Sequence, residues 1–249
     1  MKLAVCELFY SLQGEGRTVG VPAVFLRLAG CNMMCGGKGT ERDGLLHNGA
    51  TWRCDTIEVW MKGFSLTFDE LTTKLIETDN ALQKLKQGAH LVITGGEPLM
   101  QQQQLLQFLE HLEQTHGLTP IIEIETNASV KPLAPLDARV SYWNTSPKLI
   151  NSGVPTNLRI RPECLAWFNN SNKTIFKFVV SALSDWEEIV LDFISTGYID
   201  KNKIMLMPAA SDRTTLLNLM PVVAQCCIQN NLRMGTRLHI EIWNQKTGV

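Results

Sequence analysis

Three cysteines of this 249-residue chain stand close enough in sequence to act together: Cys31, Cys35 and Cys54. Three residues separate the first two, and eighteen separate the second from the third, in a stretch rich in glycine and charge. Thiolates are soft ligands suited to zinc and to iron–sulfur centres, and three with no fourth nearby leave a metal one open position. Open positions are where chemistry occurs. The other four cysteines read as small buried hydrophobes: Cys6 in an apolar run, Cys164 in a loop, Cys226 and Cys227 in an apolar helix. An odd total of seven argues against a disulfide framework.

Other residues with chemical potential fall at the ends of strand-like runs. Leu3 to Tyr10 leads into Leu12-Gln-Gly-Glu-Gly16, and Val24 to Ala29 leads into Gly30-Cys31. His90 to Thr94 opens into Gly95-Gly-Glu-Pro98, Ile121 to Thr126 into Asn127, and Val140 to Thr145 into Ser146-Pro147-Lys148. Lys203 to Met207 runs into Pro208. In parallel α/β sheets ligands bind beyond the carboxyl ends of the strands, so the five such motifs from Cys31 onward, in register, imply one common site. Glycines there let a bound group approach the backbone, and Ser146 and Lys148 supply donors for a carboxylate or a ribose. Arg27 interrupts an apolar strand, so it is either paired, half-exposed or aimed into the site.

The elements that must hold these motifs alternate. Helical spacing marks Phe68 to Lys86, Met100 to His116, Ser184 to Ser195 and Thr214 to Asn231, with the glutamines at 101–104 forming a solvated face. Thr174 to Val180 is a further strand, and Leu238 to Trp243 reads as a last strand. Six or so strands with crossover helices predict an α/β fold, an incomplete barrel or curved sheet rather than a full eight-fold one. No repeat or linker divides the chain, so residues 1–249 are expected to form a single domain.

Composition narrows the function classes. A net charge of −1 and a 19% charged content give no case for nucleic acid or an anionic membrane as the main partner. No apolar run approaches the roughly 20 residues needed to span a bilayer. The opening MKLAVCELFYSLQGEG lacks the features of a signal peptide, so a cytoplasmic location is expected.

Taken together, these motifs carry a resemblance. The cysteine pattern followed by Gly-Gly-Glu-Pro resembles the radical S-adenosylmethionine superfamily. Within it, Leu12-Gln-Gly-Glu-Gly16, Phe25-Leu-Arg-Leu-Ala-Gly-Cys31, Cys54-Asp-Thr56, Thr94-Gly-Gly-Glu-Pro98, Glu125-Thr-Asn127 and Ser146-Pro-Lys148 look like the 7-carboxy-7-deazaguanine synthases. The resemblance is specific from about residue 5 to 150 and looser through Lys177-Phe-Val-Val180, Met207-Pro208 and Arg237-Leu-His239. It implies an incomplete (β/α)6-type barrel and three thiolates holding a [4Fe–4S] cluster. It also implies a free iron chelated by S-adenosyl-L-methionine, whose cleavage gives a 5′-deoxyadenosyl radical. The implied reaction contracts the ring of 6-carboxy-5,6,7,8-tetrahydropterin to 7-carboxy-7-deazaguanine, with loss of ammonia, in 7-deazapurine (queuosine-type) biosynthesis.

Carried over by position, the resemblance makes Cys31, Cys35 and Cys54 the cluster ligands and Thr56 a Mg²⁺ ligand. Gly96, Ser146, Pro147, Lys148, Met207 and Pro208 are expected to hold S-adenosylmethionine. Leu12, Gln13, Gly14, Arg27 and Thr94 are expected to line the pterin, with Arg27 on its carboxylate. An electron donor such as a flavodoxin or ferredoxin and a homodimer are implied too. The superfamily's usual third cysteine lies two residues beyond the second, so residues 36–53 read as an inserted loop. Ala128 stands where the family has glycine after Thr-Asn, and Met207-Pro-Ala-Ala210 lacks the polar residues often found there. Two alternatives stand beside this reading. One is a structural zinc site formed by the three cysteines and a histidine such as His47; the other is a radical enzyme that activates a glycyl-radical partner.

Overall fold

The computed structural model describes residues 1–37, 46–246 and 248. Among these, nine strands form one sheet in the order β3-β1-β2-β4-β5-β6-β7-β8-β9, whose ends do not pair, so the sheet is curved and open. The strands are β1 (Lys2–Leu12), β2 (Pro22–Leu28), β3 (Phe64–Thr67), β4 (His90–Gly95), β5 (Ile122–Thr126), β6 (Val140–Thr145), β7 (Thr174–Val180), β8 (Ile204–Pro208) and β9 (Arg233–Met234). From β2 to β8 the six main strands are parallel, in keeping with an incomplete six-fold barrel. The added β1 and β3 are antiparallel, so the first strand does not follow the parallel expectation.

Helices join and flank the strands, the first and last of them also contributing residues to the wall of a cavity. They are α1 (Ile57–Trp60), α2 (Phe68–Glu77), α3 (Ala81–Lys86), α4 (Gln102–His116), α5 (Ala134–Arg139), α6 (Thr156–Arg159), α7 (Pro162–Asn170), α8 (Leu183–Ile189), α9 (Arg213–Asn230) and α10 (Leu238–Trp243). Helix α2 starts on a capping box in which Thr67 and Glu70 satisfy each other's main-chain N–H groups. Helix α4 ends where Gly117 turns left-handed at φ 58°. The largest of the core clusters is one in which Trp143 of β6 meets Trp167 and Phe168 of α7 edge-on at 6.0 and 5.5 Å. No helix among the described residues is long and apolar enough to cross a membrane.

Several local expectations are corrected. The Phe68 to Lys86 helix is two helices, because Asp79 and Asn80 adopt φ of 47° and 53° between α2 and α3. Among residues other than glycine, Asp and Asn adopt that left-handed conformation most readily. Leu238 to Trp243 is a helix, not a strand; six residues of alternating apolarity cannot separate the two. Ile240 is buried in a cluster with Ala210 and with Leu216 of α9. Cys164 sits inside α7, not in a loop, and Cys6 is half-buried rather than buried.

Nor are Gln101 and Gln102 part of a solvated face. The Gln101 amide donates to the carbonyls of Ala4 (3.0 Å) and Ala29 (2.9 Å) and accepts from the Ala4 N–H at 2.9 Å. Gln102 accepts from Leu133 N–H at 2.7 Å. Residues 98–101 form a 3-10 turn ahead of α4, and Val190–Ile194 continues α8 as a π-helical turn. Of the inserted loop, residues 38–45 lie outside the described residues.

Candidate active site

Parallel strands bring successive side chains of one face into layers. Arg27 of β2 lies in register with Thr94 of β4, and Glu125 of β5 lies in register with Asn144 of β6. Apolar strands carrying single polar residues thus deliver those residues to the concave face, while their neighbours pack under the helices. The result is one cavity of about 750 Å³ at the mouth of the sheet.

Of the residues singled out from sequence, Cys31, Cys35, Cys54, Thr56, Gly96, Ser146, Lys148, Met207, Leu12, Gln13, Gly14, Arg27 and Thr94 all line this cavity. Pro147 and Pro208 do not. They shape the two strand exits, and nothing in the structure brings their rings to the cavity wall.

The cysteine side is apolar. Cys31, Cys35 and Cys54 share a cluster with Met33, Trp52 and Val154. Burial pushes the Cys31 thiol up to about 12 and raises Cys35 as well, while the ammonium of Lys148 opposes both shifts. Left to themselves these two groups stay neutral thiols; a bound metal is what makes such groups thiolates. Among the described residues no set of three or more His, Cys, Asp or Glu converges on a single ion. A four-iron cube spreads its cysteine sulfurs wider than one ion does, and three thiols in one apolar pocket fit it. The N–H of Met33 donates to Cys31 Sγ at 3.4 Å, and Thr56 Oγ1 lies 3.4 Å from Cys54 Sγ.

The glycine-rich turn has a different duty from the one its sequence suggests. A Cβ on Gly96 would lie 2.0 Å from the carbonyl oxygen of Gly30 and 2.7 Å from Cys31 Cβ. The glycine is therefore required so that the ends of β4 and β2 can touch, which brings the turn to the cysteine loop. Glu97 is not among the residues that line the cavity. Fully buried, it accepts from Leu99 N–H (3.0 Å), Thr126 Oγ1 (2.8 Å) and Asn127 N–H (2.8 Å), clamping β4 to β5. Asn127 then donates to Asn32 Oδ1 at 2.8 Å, which holds the chain between Cys31 and Cys35.

The loop of residues 13–21 enters from the opposite end. Because β1 is antiparallel to β2, this loop lies at the amino ends of the parallel strands and stoppers the barrel there. Thr18 donates to Glu123 at 2.6 Å, and Arg17 donates to Thr174 O at 3.0 Å. A Cβ on Gly16 would strike the Asn144 amide, and one on Gly14 the His239 ring. Gln13 donates to Glu125 Oε1 at 3.4 Å, and Thr94 donates to Glu125 Oε2 at 2.9 Å.

A charged interior was not assigned from sequence. Glu15 sits half-buried between Lys177 and Arg237, the latter donating through Nε at 2.8 Å. Burial alone would raise the Glu15 carboxyl, but those two cations hold it well below the ordinary carboxylate range. Arg237 also donates to Asp55 at 3.4 Å and to the Ala210 carbonyl, joining the stopper to the cysteine loop and the end of β8. Burial lowers His239 beside them. Glu7 is hydrogen bonded to Arg27 at 2.8 Å. The signal that could have found Lys177 is the one that exposed Arg27, a lone charge in an apolar strand.

Known proteins bear on this cavity. Residues 12–131 match the family described as a 4Fe-4S single cluster domain. A 7-carboxy-7-deazaguanine synthase of Pyrobaculum aerophilum is 31% identical over 249 residues, covering 99% of this chain and 97% of that one. The chain belongs to the 7-carboxy-7-deazaguanine synthase family. The synthase of Halobacterium salinarum is 30% identical, with 97% and 91% covered. The crystal structure of QueE from Escherichia coli superposes with a TM-score of 0.62 at 24% identity, covering 95% of this chain and 94% of that one, and shares the fold. Membership makes the chain a radical S-adenosylmethionine lyase with an iron–sulfur cluster, and favours neither the zinc nor the glycyl-radical alternative.

Proposed function

We propose that the chain contracts the ring of 6-carboxy-5,6,7,8-tetrahydropterin to 7-carboxy-7-deazaguanine with loss of ammonia. The observation that carries this reading is that three cysteines, the polar strand-end motifs and Arg27 open onto one cavity large enough for a cofactor and a pterin. Cys31, Cys35 and Cys54 hold a [4Fe–4S] cluster, a role supported by their shared apolar pocket. When bound, the cluster supplies the electron for reductive cleavage of S-adenosylmethionine.

The chain's own residues bind, orient and exclude water. Gly96, Ser146, Lys148 and Met207 line the part of the cavity assigned to S-adenosylmethionine, with Pro147 and Pro208 acting through the strand exits they shape. Lys148 Nζ donates to Ser146 Oγ at 3.2 Å, which presents its remaining protons to a carboxylate. Leu12, Gln13, Gly14, Arg27 and Thr94 receive the pterin. Gln13 and Thr94 are oriented by Glu125, and the guanidinium of Arg27 takes the substrate carboxylate. The stopper of residues 13–21 seals the far end against water, which strengthens every polar contact inside. Thr56 offers a hydroxyl oxygen to Mg²⁺, a cation that prefers oxygen donors. A cytoplasmic homodimer reduced by a flavodoxin or ferredoxin completes the reading.

The test is anaerobic reconstitution with iron and sulfide, followed by S-adenosylmethionine, the pterin, Mg²⁺ and a reductant. A dithionite-bleachable brown chromophore and a product with the mass of 7-carboxy-7-deazaguanine are expected. Retained zinc without the chromophore overturns the radical reading. Cleavage of S-adenosylmethionine with the pterin untouched overturns the substrate.

A further inference from the structure

The pairing of β1 with β2 breaks register at one place, beside Arg27. Val5 pairs with Leu28, yet Glu7 pairs with Arg27, so Cys6 is the extra residue of a β-bulge. Side chains alternate between faces along a strand, so one inserted residue moves everything beyond it to the other face. Without the bulge Cys6 would stand opposite Arg27 and Glu7 would point away from it. With the bulge, Glu7, Phe9, Phe25 and Arg27 all line the cavity, and Phe9 stacks on Phe25 with ring centroids 4.8 Å apart and planes 6° from parallel. The hydrogen bonds of Gln101 to Ala4 and Ala29 pin the ladder just before the bulge.

The contact itself is specific. Glu7 Oε2 accepts from Arg27 Nε at 2.8 Å, and the two Nη groups make no hydrogen bond among the described residues. We infer that Glu7 is the positioning residue of Arg27, holding the guanidinium by its Nε edge so that its Nη fork is presented to the carboxylate of the substrate. This rests on the reading of Arg27 as the carboxylate site. A long arginine side chain otherwise loses rotamer freedom only when the ligand arrives, and a guanidinium already fixed binds a planar carboxylate with less loss. Glu7 also balances the charge of a half-buried Arg27 while the cavity holds no substrate. An incoming carboxylate on the Nη edge sits nearer to the guanidinium than to Glu7, so attraction outweighs repulsion.

Equilibrium binding of two oxidised analogues to the reconstituted, unreduced enzyme tests this without turnover. 6-Carboxypterin carries the carboxylate and pterin lacks it. The wild type is expected to prefer 6-carboxypterin. Glu7→Ala loses about tenfold of that preference, the scale of one charge-assisted hydrogen bond, while its affinity for pterin is unchanged. Glu7→Gln, which keeps an acceptor for Nε, retains most of the preference. A wild-type preference surviving in Glu7→Ala overturns the inference, and so does a Glu7→Gln variant as poor as Glu7→Ala. Should Glu7→Ala not fold, Glu7→Asp withdraws the acceptor by one methylene and is expected to lose the same preference; keeping it overturns the inference. Arg27→Ala separates the two layers, because a preference that persists there overturns the carboxylate site itself and the role of Glu7 with it.

Discussion

The main-chain N–H of Cys54 donates to the carbonyl oxygen of Cys35 at 3.1 Å, across eighteen intervening residues. The loop between the two cysteines is therefore closed at its base. It is also tied to the turn at residues 150–153, where Gly36 N–H donates to Ser152 O and Thr51 N–H to Asn151 O, each at 2.9 Å. Trp52 Nε1 adds a third tie, to Asn151 Oδ1 at 2.9 Å. Loop-closure entropy grows only slowly with length, so an insertion closed this way leaves the third cysteine beside the second.

Cys54→Ala is expected to abolish iron loading after reconstitution, whereas Cys164→Ala keeps it. Cys164 is buried on α7 with its thiol donating to Ser129 O at 3.4 Å, outside the cavity lining. Iron and sulfide content per chain measures the difference, and equal content in the two variants would defeat the ligand assignment.

Thr56→Ala is expected to lose the stimulation of turnover by Mg²⁺ while keeping its iron. The hydroxyl is the hard donor, and Cys54 beside it is the soft one, so the two losses separate. Stimulation by Mg²⁺ that survives in the variant would place the cation elsewhere.

Glu15→Gln leaves buried Lys177 and half-buried Arg237 without their shared counter-charge, at a cost of roughly 3–5 kcal/mol. The folded-state pKa of Glu15 lies below its unfolded value, so its stabilisation is complete above about pH 4.5 and is lost as pH falls below it. Urea unfolding of wild type and variant should therefore differ most near neutrality and converge on acidification. A gap that widens in acid would contradict the pairing.

Ala128 sits at φ 62°, a left-handed conformation in which its Cβ is strained. Ala128→Gly relieves that strain while losing a buried methyl, and should change stability by less than about 1 kcal/mol. Ala128→Val puts a β-branched side chain where φ is positive and should cost at least about 2 kcal/mol. Urea midpoints of the two variants give the comparison, and equal tolerance of both would show the backbone free to relax.

What local sequence determined here was the set of strand-end motifs. Each of those residues sits at an exit marked by a nearby glycine, proline or cysteine, and parallel strands place all such exits at one end of a sheet. Periodicity accordingly carried the fold class and the parallel core, while the resemblance of the motifs to a known family, not composition, supplied the cavity residues named in advance. Tertiary structure alone decided which way the 13–21 loop enters, since antiparallel pairing of β1 sends it to the far end of the barrel. It also decided that Leu238 to Trp243 is a helix with Ile240 buried, and that Gly96 serves a contact between β2 and β4. The partners of Arg27, Glu15 and Glu97 belong to the same class. Each pairing joins residues distant along the chain, so only the bulge, the register and the packing that bring them together assign it.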